Sequence, residues 1–219
     1  MAEQRDEPYI FVSLLARWIS GERNCEWAFW FQANWKDFDR VESDFDFSVW
    51  KVDHTRLLRE THRGLNADGY RVKVENQNWF RARHEASSGI VIGGKPDLLA
   101  LGEDDNLVLD VKTGKPHDWH AHQVLLPMAL LPRSDLEEHH ERRFRGRLVY
   151  DDGLVKELDR RQGEDVYDRL PYFLDILVGP EEEAHRVPSR QECGYCPISK
   201  THCPERIEAA SGEWGEEEA

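Results

Sequence analysis

The 219-residue chain is short of positive charge: 29 Lys and Arg face 43 Asp and Glu, a formal net charge of −14. Taken alone, that argues against a polyanionic partner, although local clustering governs such contacts more than the sum does. No apolar run approaches the length of a bilayer span. The opening MAEQRDEPYI lacks the basic-then-apolar layout of a secretion signal, so the expected setting is cytoplasmic, with no membrane partner. Internal repeats and Gly/Ser linkers are absent, which points to one domain over residues 1–211. The last eight residues, GEWGEEEA, are expected to form a disordered acidic tail. Cysteine is scarce as well. Four in a reducing compartment exclude a disulfide framework.

What is present is a globular composition, 39% hydrophobic and 11% aromatic. The apolar periodicity predicts helices over Ile10–Ile19, Cys25–Trp35 and Val49–Asp68, with a turn at Asp44–Asp46. The aromatics of the second helix (Trp27, Phe29, Trp30, Phe31, Trp35) are expected in the core rather than stacked on bases. Strands are predicted at Tyr70–Glu75, Trp79–His84, Ile90–Ile92, Leu98–Leu101 and Leu107–Lys112, the last two joined by the acidic turn GEDDN. A helix over Asp118–Leu131 follows. Next come a hairpin of Arg145–Tyr150 and Leu154–Leu158 across Asp151-Asp152-Gly153 and a helix over Glu164–Leu177 that Pro171 interrupts. The fold class is α/β, with a central mixed sheet flanked by helices.

Asp97 and Asp110 lie about equally far from the turn of the predicted hairpin, so they are near cross-strand neighbours. Lys112 shares a strand face with Asp110. An aspartate between Leu109 and Val111 in a buried strand is costly unless paired or coordinated. A hard divalent cation, Mg²⁺ or Mn²⁺, would remove that cost, with Asp97 and Asp110 as oxygen ligands and the Val111 carbonyl as an extra one. Such an ion polarises a phosphoryl oxygen and acidifies a water. Lys112 can handle that water, and Gln123, one element later, can position Lys112 or a phosphodiester backbone. Arg81, Arg83, Arg142, Arg143 and Arg145 are candidates for phosphate contacts. An Asp-x-Lys triplet is also an ordinary strand ion pair, so the evidence lies in the combination.

A second constellation is the C-x2-C-x6-C run at Cys193, Cys196 and Cys203, with Cys25 near the other end of the sequence. This is ligand spacing. The spacing alone fits tetrahedral Zn²⁺ as well as an iron–sulfur cluster, and Cys25 could also be a buried bystander.

Pro96-Asp97 with Asp110-Val111-Lys112 resembles the PD-(D/E)XK nuclease superfamily, and Gln123 resembles the Q-x-x-x-Y helix of its RecB-like branch. The resemblance implies a restriction-endonuclease-like core and metal-dependent hydrolysis of DNA, single-stranded or with free ends, in repair, recombination or defence. It also implies an upstream helical histidine at the metal, His54 or alternatively His62. The family's Tyr is Pro127 here, a residue expected to kink the helix. The cysteines extend the likeness to CRISPR-associated RecB-like exonucleases, the AddB nuclease domain and helicase-linked nuclease domains. It implies that Cys25, Cys193, Cys196 and Cys203 bind a 4Fe-4S cluster joining an annex of residues 20–36 and 188–208. A helicase, recombination or CRISPR partner is implied on the same ground. The alternatives are a catalytically impaired DNA-binding or assembly module with the same fold, and a zinc-stapled protein whose acidic surface engages proteins.

Overall fold

The computed structural model describes residues 2–42, 47–103 and 105–208. The turn expected at Asp44–Asp46 and the tail expected at 212–219 lie outside the described residues. The elements run β1 (Glu3–Gln4), β2 (Tyr9–Phe11), α1 (Val12–Ile19), α2 (Glu26–Asn34), β3 (Trp35–Lys36) and α3 (Phe47–Ala67). Then follow β4 (Arg71–Val74), β5 (Phe80–His84), β6 (Ser87–Gly94), β7 (Leu98–Leu101), β8 (Asn106–Lys112) and α4 (Asp118–Leu130). The chain continues through β9 (Phe144–Tyr150), β10 (Val155–Leu158), α5 (Arg160–Val178) and α6 (Arg190–Gly194).

The architecture is mixed α/β. Five strands form a sheet ordered β10-β9-β8-β7-β4, in which only β8 and β9 run parallel. A second sheet, β2-β6-β5, was not foreseen, because the stretch expected to begin α1 is divided. Tyr9–Phe11 pairs in parallel with β6, Phe11 opposite Gly93, and α1 starts only at Val12. A three-residue strand has too little periodicity to be read locally; the long-range ladder overrides it.

Strand alternation divides the large sheet into two cores. Leu98, Ala100, Leu107, Leu109 and Val111 pack with Leu57, Leu58 and Leu65 of α3. Leu99, Leu101 and Val108 face the other way, into the larger core with α4 and α5. Asp110 and Lys112 continue the Val108 side of β8, and therefore face α4. That helix sits close on β9 because Gly146 has no side chain. A Cβ there would come within 2.5 Å of both Val124 Cγ1 and Met128 Sδ.

Neither internal proline breaks its helix. α5 runs unbroken through Pro171 and begins earlier than expected, at an Asp159 cap that accepts from the Gln162 N–H at 3.0 Å. α4 likewise continues through Pro127. A mid-helix proline costs about 3 kcal/mol. Leu170, Leu174 and Leu177 in α5, and Leu126 and Leu130 in α4, are fully buried. Each contributes about 1.5–3 kcal/mol on burial, so packing offsets the loss.

The two ends of the described chain clasp each other. Trp27 donates its backbone N–H to the His185 carbonyl (3.1 Å) and its indole to Glu181 Oε1 (2.9 Å). The Trp30 indole donates to the Gly179 carbonyl at 2.9 Å. Trp27, Phe29, Trp30 and Phe31 are buried, as expected of core aromatics. Among the described residues, no helix is long and apolar enough to cross a membrane.

Candidate active site

The hairpin register pairs Leu98 with Leu109. One step further it sets Asp97 opposite Asp110, where the main sheet opens towards α3 and α4. Asp97 Oδ2 accepts the Val111 N–H at 2.9 Å and lies 3.3 Å from His54 Nε2 on α3. Val111 thus holds Asp97 through its N–H, in addition to the carbonyl expected as a metal ligand. His54 is buried and stacks on Trp50 with centroids 4.7 Å apart. His62 instead meets Asn66 at 3.2 Å, so of the two candidates His54 is the one at the site.

Lys112 Nζ lies 2.5 Å from Asp110 Oδ2 and donates a short hydrogen bond to Gln123 Oε1 on α4. Gln123 therefore reaches Lys112 even with Pro127 in its helix. Asp110 Oδ2 is buried and, despite the close ammonium, accepts no aligned hydrogen bond among the described residues. The contact is chiefly one of charge, and Asp97 is a second neighbour of the same carboxylate.

The two carboxylates are driven apart electrostatically. Burial pushes Asp110 up to about 7; Asp97 adds to the rise, and Lys112 opposes it. Burial also works to raise Asp97, but the His54 hydrogen bond and charge, the Val111 N–H and Lys112 outweigh it and hold Asp97 below its usual range. For His54, burial acts to lower the pKa, and the bond to Asp97 wins and raises it. Opposed shifts within one small cluster are a pattern common to acid–base or cation sites and to structural ion-pair networks.

Three residues that sequence reasoning did not single out support this cluster. Trp119, in the first turn of α4, has its ring 5.2 Å from Lys112 Nζ and 4.0 Å from the Arg17 guanidinium. His120 is buried; its Nδ1 accepts the His117 N–H (3.3 Å) and faces the Tyr150 hydroxyl (3.1 Å). Asn78 is fully buried and donates from Nδ2 to the carbonyls of Pro96 (3.1 Å), Lys73 (3.2 Å) and Asp97 (3.4 Å), fixing the bend that leads into β7. The only available signal was an aromatic-histidine pair at the start of a helix; Asn78 gave none.

Burial first, and then the charges of Lys112, His117 and Arg17, lower His120 to about 3. An unfolded histidine titrates near ~6.5. Between those values the unfolded chain binds the extra proton, so His120 withdraws stability as pH falls below ~6.5, at up to about 1.4 kcal/mol per pH unit. Urea midpoints at pH 6.5 and pH 4.5 should therefore fall further for the wild type than for His120→Gln. Equal drops would remove the buried neutral imidazole from the account.

Most of the candidate arginines are engaged away from this cluster. Arg145 sits opposite Leu107, whereas Asp110 sits opposite Leu148. That is three residues, about 10 Å, along the strand. Arg145 pairs with Asp105, and Arg142 donates to Asn106 Oδ1 at 2.9 Å; Arg143 is exposed at the same end. Arg83 is held by Glu7 at 2.6 Å. Arg81 is exposed opposite Gly93. The positions of Arg142, Arg143 and Arg145 follow from the parallel β8–β9 pairing, which no local pattern announces.

All four cysteines are free thiols and line one cavity of about 290 Å³, together with Arg17, Trp27 and Ile198. Burial raises the thiols of Cys25, Cys196 and Cys203. Among the described residues, however, no three His, Cys, Asp or Glu side chains stand in metal-ligating geometry, either here or around Asp110. The donor set nevertheless fits a thiolate-bound centre by its chemistry: four soft ligands, one cavity and both chain segments represented.

No protein-family model matches the chain, and no curated protein does. Among solved structures it is similar to one described as "Crystal structure of SSO0001", with 18% identity, 94% of this chain and 91% of that chain covered, and a TM-score of 0.48.

Proposed function

We propose that this chain is a metal-dependent deoxyribonuclease of the PD-(D/E)XK type, RecB-like in its four-cysteine annex. The observation that carries the proposal is the convergence of Asp97, Asp110, Lys112 and Gln123, with the buried Asp110 carboxylate between the Lys112 ammonium and Asp97. Asp97 and Asp110 would hold Mg²⁺ or Mn²⁺, with His54 beside Asp97. A cation there supplies Lewis-acid polarisation of a phosphoryl oxygen and a more acidic water. Lys112 contributes a fixed positive charge where the phosphorane oxygens gain charge, and Gln123 limits its rotation. Trp119 flanks the ammonium, and the neutral His120 behind it adds no competing charge. Cys25, Cys193, Cys196 and Cys203 would carry a 4Fe-4S cluster, or else Zn²⁺.

The test is cleavage of a single-stranded oligonucleotide in Mn²⁺. Wild-type protein should cut, EDTA should stop it, and Lys112→Ala or Asp97→Ala should slow it by roughly 10³-fold, the scale of losing a preorganised charge. Undiminished cleavage in both variants would overturn the assignment. A second reading, a DNA-binding module of the same fold that does not cut, draws on the lack, among the described residues, of three ligating groups in place. Metal-independent binding without cleavage would establish that reading instead.

A further inference from the structure

Phe11 and Trp79 are large aromatics with 44% of their surface exposed, and their ring centroids stand 6.0 Å apart at 56°. They are not a stray apolar patch. Both line a cleft of about 210 Å³ whose wall includes Asp110, Gln123 and Pro127. Lys95, exposed on the same cleft, makes no ion pair among the described residues. The exposed rings and the free cation therefore border the candidate active site itself.

Both rings spring from anchored backbone at the edge of that cleft. Trp79 directly follows Asn78, whose side chain grips the Pro96 and Asp97 carbonyls. Phe11 ends β2 opposite Gly93. A Cβ at Gly93 would fall 1.6 Å from the Tyr9 hydroxyl, so the Tyr9 ring occupies the space a side chain there would take. With that space open, the Tyr9 ring lies over β6 and meets Phe11 edge-on, centroids 5.0 Å apart. A rigid ring, exposed at a cleft and backed by fixed neighbours, costs little entropy when it receives a flat ligand.

Resting on the nucleic-acid reading above, we propose that Phe11 and Trp79 form a stacking subsite for one unpaired nucleobase, with Lys95 meeting an adjoining phosphate. The occupant is flat, because the two rings offer π faces. It is anionic on one side, because Lys95 brings an exposed cation to the rim. It lies on a strand whose next phosphate reaches Asp110. A base within a duplex is already stacked and paired, and would have to leave the helix to enter. The subsite thus selects single strands or frayed ends, and tolerates any base, because each has a π face. The aromatics of α2 cannot serve, since they are buried.

The experiment uses the full chain in EDTA at fixed low salt, with fluorescence anisotropy on two labelled 12-mers: oligothymidylate and an abasic sugar-phosphate strand of equal length. Wild-type protein should bind the base-bearing strand about tenfold more tightly, the scale of one stacked base. In the Phe11→Ala/Trp79→Ala double variant the two strands should bind alike. Phe11→Tyr/Trp79→Phe should restore the preference. If the alanine variant does not fold, Phe11→Leu/Trp79→Leu carries the same comparison, keeping apolar bulk and removing the π faces. A base preference that survives loss of both rings overturns the subsite, as does a wild type that ignores the base. A preference that depends on the rings in a protein that never cuts upholds the subsite and rejects the nuclease. Cleavage by a protein without base preference does the reverse.

Discussion

Asp110→Asn should cripple cleavage and at the same time make the cation-free protein more stable in alkali. Asp110 is buried, accepts no aligned hydrogen bond at Oδ2 among the described residues, and sits opposite a second carboxylate that is held ionised. Its pKa stands at about 7 in the fold, against ~3.9 unfolded. Below ~3.9 both states carry the proton and the site has no cost. From there to about 7 the folded state holds the extra proton, so stability falls as pH rises. Above about 7 the full cost of ionising a desolvated group is present. Lys112 moderates that cost but does not cancel it, because Asp97 competes for the same ammonium. An asparagine has the same shape and no charge. We expect the variant to melt roughly 3–8 °C above wild type at pH 8 in EDTA, from ~1–2 kcal/mol. The gain should shrink as pH falls below about 7 and vanish only below about pH 4. Saturating Mn²⁺ should reverse the order, stabilising wild type and not the variant. Cleavage should fall by roughly 10³-fold or more. A variant that melts below wild type at pH 8 would show that the Asp110–Lys112 pair is worth more than the buried charge costs.

Replacing any one cysteine by serine should have the largest effect on stability. Cys25 and Cys193 are 168 residues apart in sequence, and a bond between such distant points removes much of the unfolded chain's freedom. In the chain-entropy picture a loop of this size is worth about 5 kcal/mol. Part of that restraint already exists. Arg23 donates to the Gln191 carbonyl (3.1 Å), and the Asn24 N–H donates to Glu192 Oε1 (2.8 Å). The increment from a bound centre is therefore smaller, and a fall in Tm of about 10 °C is the expected result. Anaerobically purified wild type should absorb near ~400 nm, and each Cys→Ser variant should lose that band and the Tm increment together. A colourless protein whose Tm falls on chelation holds zinc instead. Four variants that melt with wild type would reduce the thiols to wall residues of an apolar cavity.

The parts of this molecule that could be read in advance are those fixed over short stretches. Asp97, Asp110 and Lys112 come together because one hairpin and a two-residue strand period place them. Gln123 follows within eleven residues of Lys112. His54 fits the motif better than His62, and the helix's rotation on the sheet puts it, not His62, beside Asp97. β2 was missed because its partner lies some eighty residues later. The arginines were misplaced for the same reason: β9 joins β8 in parallel, which sends Arg142, Arg143 and Arg145 to the far end of the strand. The prolines misled in the opposite direction. Local rules made Pro171 a break, whereas fully buried leucines on the same helix outweigh a lost hydrogen bond. Trp119, His120 and Asn78 acquire meaning only from neighbours in space.

The clasp between α2 and the later segment also sets an order of events during synthesis. Trp27 and Trp30 find their indole acceptors at Glu181 and Gly179, about 150 residues downstream. At ribosomal rates of roughly 5–20 residues per second, those acceptors emerge roughly 10–30 s later. Throughout that interval an aromatic helix waits without its cover. The nascent chain is therefore most exposed to self-association, and most in need of a chaperone, at its beginning rather than around the hairpin that carries the aspartates.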